Sequence, residues 1–116
     1  MTPPPSSGGS SEKPITSTYH DDPEMGEIIR DFVAELPQRI HAMRSAFSEQ
    51  RLLDLLHLAH QLKGAGGGYG FDQISAAAAR LELALKSLQT DRAADAAERA
   101  KVAIDEVTSL CRRATA

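Results

Sequence analysis

Near the middle of this chain, His60, Lys63 and Gly64 have the types and spacing to handle an anionic group in transit. Placed on a helix, Leu53, Leu56, His57, Lys63, Gly64 and Gly67 fall within about 60° of His60. Leu55, Leu58, Leu62 and Ala65 gather on the opposite side, so His60 is expected to face solvent. An exposed imidazole is largely neutral and nucleophilic near neutral pH. Lys63, one turn onward, can neutralise part of the charge of a phosphoryl group. Gly64 removes a Cβ beside the ring and leaves room for another protein's acceptor atom. Leu53 and Leu56, if exposed on that face, form an apolar docking patch with His57, Gln61 and Gly67 around it.

Each of these residues also has a plain structural reading. A surface histidine or lysine is ordinarily a solvated group, Gly64 can begin the end of a helix, and Leu53 and Leu56 can widen an apolar stripe. What raises the group above its members is that all of them share one helix face. The pair His57 and His60 at i, i+3 could hold a metal, but only Asp54 stands near to complete a site, so no metal is expected. His20 and His41 have no such surroundings.

A helical bundle is expected to position this face. Met25, Ile28, Ile29, Phe32, Val33 and Leu36 recur at three- and four-residue steps, and Ile40, Met43 and Phe47 resume the stripe in phase. Pro37 lacks an N–H and interrupts the run, which predicts two consecutive helices, about 23–36 and 37–48. A third helix is expected over about 50–66, ended by Gly66, Gly67, Gly68 and Gly70, since each glycine inside a helix costs about 1 kcal/mol relative to Ala. A fourth, about 72–89, carries Ile74, Ala77, Ala78, Leu81, Leu85 and Leu88. A fifth, about 91–112, carries Ala93, Ala97, Ala100, Ile104, Val107 and Cys111, with Thr90 as its N-cap. Short connections make neighbours antiparallel, and no strand pattern stands out. The fold class is therefore all-α: an up-and-down antiparallel four-helix bundle with an additional short N-terminal helix.

Residues 1–20 are mostly Pro, Ser, Gly and Thr and bury little, so a flexible tail is expected there, with the folded domain over 21–116. The 116 residues suit one domain, and aromatics at 4% with abundant Ala favour close-packed helices over a β-sandwich. A formal net charge of −3 shows no basic excess, so no nucleic-acid partner is expected. A single cysteine, Cys111, allows no internal disulfide. No apolar run is long enough to span a bilayer and the first residues lack a secretory signal's apolar segment, so neither membrane insertion nor export is expected and a cytoplasmic location is the default.

The segment Ala59-His60-Gln61-Leu62-Lys63-Gly64-Ala65 resembles the histidine phosphotransfer (HPt) family of two-component phosphorelays. The likeness continues through Gly67, Gly70 and Arg80-Leu81-Glu82, and Phe32-Val33-Ala34-Glu35-Leu36-Pro37-Gln38-Arg39-Ile40 looks like the start of the family's second helix. It spans roughly residues 22–90. The resemblance implies that His60 carries a phosphoryl group on a ring nitrogen, with Lys63 and Gly64 matching the family's lysine and glycine. Gly66-Gly67-Gly68 is richer in glycine than the usual pattern. The partners implied are receiver domains of response regulators or hybrid sensor kinases, which supply the aspartate and the Mg²⁺; this chain needs no cofactor of its own.

No phosphate-binding Gly-x-x-x-x-Gly-Lys-Ser/Thr loop is present, so the chain is expected to be a carrier without ATP-dependent kinase activity. A monomer is the simplest expectation. Two other readings are weighed against this one. A helical interaction module would dock on a signalling partner through the His60 face without phosphotransfer. A di-iron bundle would need inward Glu and Glu-x-x-His pairs, where this chain has Leu, Ile, Ala and Phe.

Overall fold

A computed structural model describes residues 13–90 and 94–116. Four helices form the body: α1 (Gly26–Ser48), α2 (Leu52–Gly68), α3 (Asp72–Thr90) and α4 (Ala94–Arg113). Two short strands, β1 (Ile15–Thr16) and β2 (Ala114–Thr115), flank them in the chain. Each helix packs on the next in sequence, and α4 returns to α1, which closes the bundle. The expected all-α four-helix architecture is present.

The helices follow their apolar stripes. Ile29, Phe32, Leu36, Ile40, Met43 and Ala46 of α1 are buried, as are Leu55, Ala59 and Leu62 of α2. So are Ile74, Ala77, Ala78, Leu81, Leu85 and Leu88 of α3, and Ala100, Ile104, Val107 and Cys111 of α4. Ala97 is exposed and Ala96 takes the inward place expected of it. Ala93 lies outside the described residues.

The separate short N-terminal helix is absent among the described residues. The predicted segments 23–36 and 37–48 are one helix with Pro37 inside it. Interior proline costs about 3 kcal/mol. Here it is exposed, while six side chains before and after it share one buried stripe. Each large one contributes roughly 1.5–3 kcal/mol by burial, so packing on both sides outweighs the lost hydrogen bond. Between α1 and α2, Gln50 adopts φ of 59°. Its N–H donates to Phe47 O (3.1 Å) and that of Arg51 to Ala46 O (2.8 Å), closing the end of α1 through a left-handed residue.

Residues 13–20, expected to belong to a flexible tail, fold onto the bundle instead. Ile15 and Ser17 are buried, and β1 pairs in parallel with β2, Ile15 opposite Ala114. Arg113 Nε donates to the Lys13 carbonyl at 2.8 Å. Ser17 Oγ donates to Tyr69 O at 2.6 Å, and Thr18 N–H to Gly70 O at 2.9 Å. Few as its apolar residues are, this segment gains burial and hydrogen bonds from the C-terminal strand and from the turn between α2 and α3, which offset its ordering entropy. Residues 1–12 lie outside the described residues.

Candidate functional site

Helix α2 presents the site, and its far end explains the glycines. The helix was expected to stop near Gly66 but runs to Gly68. A Cβ on Gly66 would lie 3.2 Å from the backbone N of Ser75 and 3.3 Å from Ile74 Cγ2. One on Gly67 would lie 3.3 Å from Ser75 Oγ. These glycines let the first turn of α3 approach α2 closely, and that packing offsets their poor helix propensity. Ser75 Oγ then donates to the Lys63 carbonyl at 2.8 Å, fixing α3 beside the turn that carries Lys63. Gly70, in the turn itself, has φ of +84° and must be glycine.

His60 stands outward, its side chain 66% exposed, while Ala59 and Leu62 beside it are buried. Lys63 and Gly64 share its face as predicted: Lys63 is partly exposed, Gly64 is exposed, and nothing lies within 4 Å of where a Gly64 Cβ would be. Leu53 is 70% exposed. Leu56 departs from expectation, because it is half-buried and packs against the core. His57, Gln61 and Gly67 are exposed, Gly67 having the packing role described above. His20 is engaged elsewhere, its Nδ1 2.9 Å from Ser17 O. Thr90, expected to cap α4, is the last residue of α3, and its hydroxyl donates to Ser87 O.

The residue that sequence reasoning missed is Glu82. It projects from α3 beneath the site, with a side chain only 9% exposed. Oε1 lies 2.7 Å from Lys63 Nζ and Oε2 lies 2.8 Å from His60 Nδ1. The Lys63 hydrogen bond, opposed by burial and helped by the His60 hydrogen bond, holds this carboxyl below the usual carboxylate range. An ionised carboxylate only accepts hydrogen bonds. Against an ionised Glu82 the 2.8 Å contact has His60 Nδ1–H as its donor, so in the neutral ring the lone pair lies on Nε2. A signal was available: Ala78, Glu82 and Leu85 recur at helical spacing, so a carboxylate interrupts an otherwise apolar face.

The arrangement is an outward nucleophilic nitrogen, a cation beside it, and a buried anion that orients the ring and holds the cation. Among the described residues no group of three His, Cys, Asp or Glu side chains is placed to bind a metal ion. No helix among them is long and apolar enough to cross a membrane. A protein-family model described as Hpt domain matches residues 27–113. No curated protein and no solved structure matches significantly.

Proposed function

Because the chain belongs to the Hpt domain family, we propose that His60 accepts a phosphoryl group from an aspartyl phosphate of one receiver domain and passes it to an aspartate of another. Domains of this family are phosphoryl carriers in phosphorelays, not kinases, and interact with receiver domains. The observation that carries the residue assignment is the single contact between His60 Nδ1 and Glu82 at 2.8 Å, made while the ring remains 66% exposed. It directs the unprotonated Nε2 away from the bundle, where an incoming phosphorus atom can approach in line.

The other roles follow from position. Lys63 lies one turn from His60 and shares with it the carboxylate of Glu82, which puts its ammonium group on the side of the ring where it can turn to phosphoryl oxygens. Gly64 leaves open space beside the ring for the receiver's aspartate and its surrounding loops. Leu53 supplies exposed apolar area for docking, with His57 and Gln61 at the rim. The receiver brings the acidic pocket and the Mg²⁺ that screens the transferring group.

Incubation with a phosphorylated receiver tests the proposal. The domain should take up label in an acid-labile, base-stable form, and His60→Gln should take up none. A His60→Gln domain labelled as well as the wild type would overturn the assignment. Lys63→Ala should be less stable, because Glu82 loses a cation, and should transfer more slowly, by about tenfold or more.

A further inference from the structure

Glu82 accepts from two groups that need different partners once a phosphoryl group arrives. In the resting site Lys63 Nζ is 2.7 Å from Glu82 Oε1, so the ammonium group is already paired. The carboxylate is 9% exposed and has little water to replace a lost cation. Leaving such a group unpaired is costly. Lys63 can therefore turn to a phosphoryl group only if something else supplies Glu82 with positive charge.

We infer that Glu82 is a positioning residue that exchanges one cation for another during transfer, releasing Lys63 to the phosphoryl group as the His60 ring becomes charged. This rests on His60 being the acceptor. In the forward step the Nε2 lone pair forms the N–P bond as the P–O bond to the donor's carboxylate breaks. The donor keeps that electron pair as a carboxylate, and no proton moves. The ring keeps its proton on Nδ1 and becomes cationic. Glu82 Oε2 already accepts from that N–H at 2.8 Å, so the new charge appears beside the buried anion. Lys63 is then free to swing its ammonium group to the phosphoryl oxygens. Before and after transfer, each anion in the site has a cation beside it. On donation to the next aspartate the N–P bond breaks, the pair returns to Nε2, the ring becomes neutral and Lys63 returns to Glu82.

Phosphoramidate, a small phosphodonor that needs no receiver, separates this inference from the relay reading. Wild type, Glu82→Gln and His60→Gln would be incubated with it, and ³¹P signal at His60 followed with time. Wild type should be labelled, His60→Gln should not, and Glu82→Gln should be labelled on the order of tenfold more slowly. In ¹⁵N-labelled wild type, phosphorylation should move the Lys63 Nζ resonance and leave His60 Nδ1 protonated. That measurement needs no variant, so it decides the matter even if Glu82→Gln does not fold. A wild type labelled neither by phosphoramidate nor by a phosphorylated receiver overturns the relay reading and this inference together. A labelled wild type overturns this inference alone if Glu82→Gln is labelled equally fast, if Lys63 Nζ does not move, or if Nδ1 loses its proton.

Discussion

Glu82 on α3 and Lys63 on α2 form an ion pair at 2.7 Å that lies directly beneath the exposed ring of His60. The pair joins the bundle's stability to its chemistry, because the carboxylate that orients the imidazole also ties two helices together. The exposed pair of Lys101 with Asp105, four residues along α4, bridges no helices and is worth little by comparison.

Acid should weaken the fold partly through Glu82. Its carboxyl is held below the usual range by Lys63 first and His60 after it, so the unfolded chain binds the proton more readily. The resulting stability is present above the ordinary carboxylate range and is lost as pH falls through the lowered folded value. Asp105 is lowered in the same way, chiefly by Lys101 and then by Arg44. Urea unfolding at a series of pH values from about 6 to 3 should show a shallower acid loss in Glu82→Gln than in wild type. Identical slopes would contradict the assignment.

Gly64→Ala separates folding from transfer. Nothing lies within 4 Å of the added Cβ, and alanine favours a helix interior by up to about 1 kcal/mol, so the urea midpoint should hold or rise. Transfer from a phosphorylated receiver should nevertheless slow, because the methyl group occupies space that only the complex uses. A variant with unchanged transfer would show that the glycine is not needed for access.

Gly70→Ala should do the reverse. Its φ of +84° disfavours any side chain, and the new Cβ would lie 2.5 Å from Ser17 Oγ and 2.6 Å from Thr18 Oγ1. A loss of about 1–3 kcal/mol in urea unfolding is expected. An unchanged midpoint would mean that the N-terminal segment does not pack on this turn.

These contrasts show which parts of the molecule local pattern reveals. The helices were legible because period-3.6 stripes are long and their burial is nearly complete. The outward direction of His60 followed from the same geometry, since Leu55, Leu58, Leu62 and Ala65 had to point in; Leu55 and Leu62 are buried, and Leu58 and Ala65 half-buried. Glu82 was not legible as a site residue because its partner is 22 positions away and only the docking of α3 on α2 joins them. The β1–β2 pair was hidden for a similar reason: two-residue strands carry no alternation, and Ile15 meets Ala114 only when the bundle closes. Pro37 misled because a local cost was weighed without the packing on either side of it. Leu56 was misplaced because a helical wheel cannot say how widely neighbouring helices cover it.

Cys111 should be inert in the folded protein. Burial pushes its thiol up to about 12, with Arg39 opposing only slightly, so almost no thiolate exists at neutral pH. Iodoacetamide should modify it at a negligible rate in buffer and rapidly in urea. Equal rates would place Cys111 on the surface.

The most direct test of the account is to locate the phosphoryl group itself. After phosphorylation by a receiver, the ¹⁵N and ³¹P spectra of the wild-type domain should show one phosphorylated histidine, His60, bonded to phosphorus through Nε2 with its proton on Nδ1. Phosphorus found on His57, on another residue type or on Nδ1 of His60 would contradict it.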